Sequence, residues 1–325
     1  MALPEGAAAQ GKPRAAPRPV DSVIDMASFA GTSNLPVWIA QDKNYFTRNG
    51  VIVHLEQVDS VAAQISGVMA GKYPLFMTAI DNIVAYQEGQ GVTTPPLPDM
   101  FAFMGVHHGL NSLVVKPEVM TYQDMRGRKM GVDTLTSGYA FVLYRLLERN
   151  DLRRGVDYKV VPLGGPVERF AALKEGRIDG TLLSAPNDTE ATELNFTILA
   201  EPSDLVGGYE GTVYATRRSW ASTHPREMLA VARSLIAAHD SIRVDKAGAI
   251  AVLRAHIRGL SEERAELVYT GLVDEKGGLS KRGEISVEGV KTVLELRSEM
   301  GEPKKSLTDP SRYIDTSYFQ QARGQ

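Results

Sequence analysis

Cysteine is absent from this 325-residue chain. That absence removes disulfides, thiolate nucleophiles, iron–sulfur clusters and cysteine-ligated zinc together, and it leaves the compartment open. Histidine is scarce, at six residues, and none forms an HExxH motif or an i, i+4 pair with acidic partners, so no metal and no cofactor is expected. His107 and His108 are adjacent; on a strand they would face opposite ways, which argues against one shared metal and leaves a hinge or cleft-edge role for His107. The chain has no GxSxG elbow, no P-loop and no GxGxxG after a strand. The glycines of Leu163-Gly164-Gly165-Pro166 have the wrong spacing for a dinucleotide turn. No apolar run reaches 18 residues, so no transmembrane helix is expected. A net charge of −3 without a basic stripe excludes a nucleic-acid partner.

What is present is an ordinary globular composition, 43% apolar and 23% charged, at a length that suits two domains. Residues 1–20 are rich in Ala, Pro and Gly and read as a disordered leader. Ala7-Ala8-Ala9 before Gln10 has the look of a signal-peptidase site, but the charged and apolar regions that should precede it are missing. Two readings follow: a chain that begins downstream of a removed signal, or a flexible N-terminus.

From Asp21 onward, short apolar strands alternate with amphipathic helices. Val23–Phe29, Val51–Leu55 and Leu75–Thr78 read as strands, with a helix over Val61–Ala70 closed by Gly71. Asn34 is the expected cap of a helix carrying Pro36 in its first turn. The pattern then returns: strands at Lys129–Val132, Tyr158–Val161 and Thr181–Leu183, and helices over Tyr139–Asn150 and Val167–Glu175, the second closed by Gly176. The spacing repeats too, since 39 positions separate Thr32 from Gly71 and 40 separate Thr136 from Gly176. The expectation is two α/β lobes with mainly parallel sheets. The last third is predicted to be helical, with little in it that resembles a site.

Three ordered segments carry a resemblance. Leu35-Pro36-Val37-Trp38-Ile39-Ala40-Gln41-Asp42-Lys43-Asn44-Tyr45-Phe46 with Asn49-Gly50-Val51 is similar to the first lobe of the nitrate/sulfonate/taurine-type solute-binding proteins, the SsuA-like and NMT1/THI5-like group. Asp124–Val132 and Arg169–Gly180 resemble two segments of that family's second lobe. Two positions depart from it: Lys72-Tyr73-Pro74 replaces a glycine-hydrophobic-Asp step, and Asn44 stands where glycine is usual. The resemblance implies a periplasmic-binding-protein-like type II fold with a hinge and an interlobe cleft. Residues 21–104 plus 207–325 would form one lobe and 105–206 the other. It also implies a monomer outside the cytoplasm that delivers a small-molecule ligand to an ABC permease. Family relatives that act as enzymes leave a cofactor-free decarboxylase using Asp81 or His107 open, as well as a cytosolic ligand sensor.

In such sheets ligands sit beyond the carboxyl ends of the strands, where helix N-termini converge. Thr136, Ser137 and Gly138 are the expected anion clamp, opposed by Thr32 and Ser33, with Asn34, Ser60, Asn82, Gly164 and Ser184 in the equivalent turns. Each hydroxyl or amide here is equally an ordinary helix cap. Asp81 either faces the cleft, to meet an amine or heterocycle N–H, or caps the helix that follows it. If it faces the ligand, a simple inorganic anion is disfavoured by charge repulsion. Trp38 and Tyr139 are candidate apolar walls for an organic ligand, anionic or heteroaromatic.

Overall fold

The computed structural model describes residues 22–91, 99–109, 111–201, 208–275 and 277–324. The expected leader and the boundary at 206/207 lie outside these residues. In chain order the first elements are β1 (Ser22–Ser28), α1 (Leu35–Asp42), α2 (Tyr45–Arg48), β2 (Val51–Gln57), α3 (Val61–Met69), β3 (Leu75–Ala79), α4 (Ile80–Gln87) and β4 (Met100–Gly105). The middle of the chain gives β5 (Ser112–Val115), β6 (Lys129–Val132), α5 (Gly138–Glu148), β7 (Lys159–Pro162), α6 (Pro166–Lys174), β8 (Gly180–Leu183), α7 (Asn187–Glu193) and β9 (Thr197–Ala200). The chain then forms β10 (Thr212–Arg217), α8 (Arg218–Thr223), α9 (Pro225–Val244), α10 (Lys246–His256), α11 (Glu262–Leu272), α12 (Val287–Met300) and α13 (Ser317–Arg323).

Two five-stranded sheets result, ordered β2-β1-β3-β10-β4 and β7-β6-β8-β5-β9. The orders match position for position, which gives the repeated spacing a topological basis. In each sheet the first three strands are parallel, and the fourth runs antiparallel to both neighbours. The sheets are therefore mixed rather than mainly parallel. The inserted strands, β10 and β5, both follow a crossing between lobes. The expectation omitted β5, although Leu113-Val114-Val115 is an apolar run ended by Lys116-Pro117.

Local chemistry explains the element ends. Ser60, Ser137, Ser261 and Ser286 accept from backbone amides at the starts of α3, α5, α11 and α12. Gly71 and Gly176 follow α3 and α6 at φ of +74° and +72°, a conformation that costs any side chain with a Cβ. Asn34 stands at the N-cap of α1 with Pro36 in the first turn, as expected, but its buried side chain donates to Phe29 O at 2.8 Å rather than accepting from the helix.

One core belongs to the first lobe, where α1, α9 and α10 cover one sheet face. A second runs unbroken from Ile80, Ile83 and Val84 of α4, through Val290, Val293 and Leu294 of α12, to Phe141 and Leu143 of α5. The helix α12 thus packs on both lobes at once. Among the described residues no helix is long and apolar enough to cross a membrane.

Candidate functional site

The lobes are joined by two segments that pair with each other. Val106 and His107 donate to Thr212 O, and Gly211 donates back to His107 O. His108 Nδ1 lies 3.0 Å from Glu210 Oε2, which also accepts from Ser286 N at the start of α12. Burial pushes the Glu210 carboxyl up, and the bond to Glu210 raises His108. His107 is buried and accepts from Gly109 N at 3.0 Å, and burial lowers its pKa to about 3. Neutral His107 is thus a structural acceptor in the crossing. Among the described residues no group of three or more His, Asp or Glu is placed to hold a metal ion.

Between the lobes the structure gathers a buried polar cluster. Asp81, in the first turn of α4, receives Arg297 Nε at 2.6 Å on Oδ1 and Nη2 at 2.5 Å on Oδ2. Both side chains are 2% exposed. Burial works against the Arg297 charge, but Asp81 outweighs it and holds the guanidinium above its usual value. The third nitrogen, Nη1, is buried with no hydrogen-bond partner among the described residues. The guanidinium also lies 4.9 Å from the centre of the Phe141 ring in the second lobe.

The amino end of α5 closes over this pair. A Cβ on Gly138 would come within 2.3 Å of Asp81 Cγ, so glycine is what permits the approach. Ser137 caps α5 by accepting from Ala140 N at 3.1 Å and donates to Asp133. Tyr139 is half-buried, bonded to Asn111, and 6.1 Å from Tyr209 ring to ring. Burial pushes the Tyr139 phenol up to about 12 and the buried Tyr209 phenol well above its usual value. Tyr209 Oη has no hydrogen-bond partner among the described residues. Arg169, also buried, donates to Gly164 O at 2.9 Å and Leu182 O at 3.2 Å, with Asp133 as a charge partner.

The expected residues distribute unevenly around this cluster. Gly138, Tyr139 and Asp81 are brought together. Asp81 neither caps α4 nor stands free to meet an amine, because Arg297 occupies its carboxylate. Thr32, in the 3-10 turn Thr32–Asn34 with half-buried Ser33, donates to Ala185 O at 3.2 Å across the lobes. It therefore opposes the turn after β8, which includes half-buried Ser184, rather than residues 136–138. Thr136 is exposed on a cavity of about 480 Å³, with Leu135, Phe141 and Met300. Ser60 is an exposed cap, Asn82 donates to Thr78 Oγ1 at 2.9 Å, and exposed Gly164 turns at φ +86°. Trp38 is not a cleft wall; it is 5% exposed in the first-lobe core and stacks on His256 at 4.8 Å.

Arg297 and Tyr209 are the residues that the sequence reading missed. The signal for Arg297 was present: Val290, Val293 and Leu294 are followed by Arg297 at the i+7 position of one apolar stripe. An arginine there is a buried charge in need of a partner.

Residues 18–255 match the NMT1-like family, across most of the chain. The chain belongs to that family. Its solved structural relatives share the two-lobe, periplasmic-binding-protein-like type II fold. The periplasmic nitrate-binding protein NrtA of Synechocystis PCC 6803 superposes with a TM-score of 0.77 at 11% identity, over 95% of this chain and 90% of that one. The alkanesulfonate-binding protein SsuA of Xanthomonas axonopodis pv. citri, bound to MOPS, gives 0.70 at 16% identity, over 92% and 100%. A curated relative, the bicarbonate transport ATP-binding protein CmpC of Synechococcus elongatus, is 25% identical over 224 residues. That match covers 62% of this NMT1-like chain but only 33% of the relative, so the chain spans about a third of that relative's length.

Proposed function

We propose that this NMT1-like chain is the solute-binding component of an ABC importer. It takes a small organic ligand, anionic or heteroaromatic, between its lobes, closes about the paired crossings, and presents the closed form to a membrane permease. The observation that carries this reading is the polar cluster built from both lobes, with Gly138 against Asp81 and Thr32 bonded to Ala185 O. A ligand that touches both sides adds contacts to the closed state that the open state lacks, and that difference drives closure. Solved relatives named for nitrate and sulfonate binding support the same reading.

On this reading the lobes are residues 21–104 plus 207–325 and 105–206, and the chain works as a monomer outside the cytoplasm without a cofactor. The test is a thermal-shift screen with nitrate, bicarbonate, taurine, alkanesulfonates, aromatic carboxylates, aminopyrimidines and flavins. Small-angle scattering follows on each hit, and mass spectrometry on the recovered compound. A ligand at 100 times its Kd raises stability by about 2.7 kcal/mol. Expected is a hit that compacts the protein and returns unchanged. A hit that binds without compaction overturns hinge closure, and one that is consumed replaces binding with catalysis.

A further inference from the structure

We propose that Arg297 Nη1 and Tyr209 Oη together receive an uncharged oxygen acceptor of the ligand, the carbonyl of an amide or oxo-heterocycle, with Asp81 as the positioning residue that aims the guanidinium. The inference rests on the solute-binding reading and names the ligand class of that site.

Two donors in this cluster have no acceptor among the described residues. Arg297 spends Nε and Nη2 on Asp81, at 2.6 and 2.5 Å, so its plane is fixed by a two-point contact. Its remaining Nη1 is buried without a partner among the described residues, and so is the hydroxyl of Tyr209, a residue 6% exposed. A buried donor left unpaired costs the folded state, and most proteins avoid it. Two of them in one cluster mark a place where an incoming oxygen completes the hydrogen bonding. Tyr209 lies ring to ring with Tyr139, whose neighbour Gly138 rests against the Asp81 carboxylate that holds Arg297, so both donors belong to one cluster at the start of α5. Both also meet the second lobe, Arg297 at Phe141 and Tyr209 at Tyr139. A group bound between them is therefore held at the lobe interface, with a pair of tyrosine rings beside it.

Charge then selects the class. Asp81 and Asp133 balance Arg297 and Arg169, each pair coupled by Coulomb interaction. A carboxylate or sulfonate arriving here meets no unmatched cation and lies beside two carboxylates. A neutral carbonyl takes both donors without adding charge to a buried site.

The experiment uses the full chain and three probe pairs: nicotinamide with nicotinate, benzamide with benzoate, and uracil with orotate. Melting temperatures and Kd values are measured for wild type, Tyr209→Phe and Arg297→Lys. The free Tyr209→Phe protein is expected to melt at the same temperature as wild type or above it, because the lost hydroxyl bonds nothing. A neutral probe is expected to bind at least tenfold tighter than its carboxylate counterpart and to lose at least tenfold in Tyr209→Phe. Arg297→Lys, which keeps a cation for Asp81 but no second nitrogen, is expected to lose as much. A lower melting temperature for free Tyr209→Phe overturns the inference. So does tighter binding of the carboxylates, no binding by any probe, or unchanged affinity in Tyr209→Phe. Lobe compaction by an anion in a Tyr209→Phe background would remove this inference alone and leave solute binding standing, whereas loss of compaction with every ligand removes the solute-binding reading.

Discussion

Asp81 and Arg297, 216 positions apart in the chain, meet as a two-point ion pair with both side chains 2% exposed. Removing one partner strands the other as a buried charge, so Arg297→Met is expected to cost about 3–5 kcal/mol. The double variant Asp81→Leu/Arg297→Met is expected to recover most of that, since an apolar pair of similar volume carries no desolvation cost. Urea unfolding of these proteins and of Asp81→Leu checks this. A double-variant loss equal to the sum of those of Arg297→Met and Asp81→Leu measured singly would show that the two residues are not coupled.

Gly138 lies where two effects oppose one another. Alanine is favoured over glycine by roughly 1 kcal/mol in a helix interior, and by less at the first residue of α5, where Gly138 stands. Its Cβ would approach Asp81 Cγ to 2.3 Å, and overpacking of that kind costs about 1–3 kcal/mol. The clash is expected to win: Gly138→Ala should lower stability and enlarge the radius of gyration of the free protein in small-angle scattering. A stabilised variant of unchanged size would mean that α5 does not rest on Asp81.

His239 gives a pH signature. It is buried, its Nδ1 lies 2.9 Å from Ser280 O, and burial lowers its pKa from 6.5 to about 4. The folded value is depressed, so its contribution is complete above pH 6.5 and declines as the pH falls toward 4. Within that window the unfolded chain binds the extra proton, which costs about 1.4 kcal/mol per pH unit for each such histidine. His107 acts in the same direction. Urea midpoints of wild type and His239→Gln between pH 6.5 and 4.5 are expected to diverge, with the shallower slope in the variant. Parallel slopes would show that His239 carries its proton in the folded state.

Arg145 joins α5 to α12 through Glu295, at 3.0 Å, and Glu299. The carboxylates are about half exposed, so the attraction is largely solvated. Arg145→Met is expected to cost about 1 kcal/mol or less, and less again in 1 M salt. A large, salt-independent loss would point instead to packing of the arginine stem.

Much of the architecture was legible because its determinants are local. Alternating apolar strands, serine caps and the closing glycines Gly71 and Gly176 each act within a few residues of themselves. The strand β5 was passed over although Leu113-Val114-Val115 marks it as apolar; what its sequence does not carry is its antiparallel direction, which is set by β8 and β9. The cluster was half legible. Gly138, Tyr139 and Asp81 stand at element starts, where position suggests a role. Arg297 and Tyr209 gain theirs only from distant partners, one in a helix and one in a crossing. Trp38 misled for a related reason: Leu35 to Ala40 are all buried, so α1 has no outward face to read.

The placement of β10 sets an order of assembly. It lies between β3 and β4, which do not pair with one another, so the first sheet is incomplete until residues 212–217 have been made. Every strand of the second sheet, by contrast, lies within residues 112–200. On the ribosome the internal lobe can therefore close its sheet while the lobe begun earlier still waits for a strand. β2, β1 and β3 pair among themselves without it, so what waits for the second crossing is the open edge of β3 and the strand β4, an unpaired edge that invites misassociation in the growing chain.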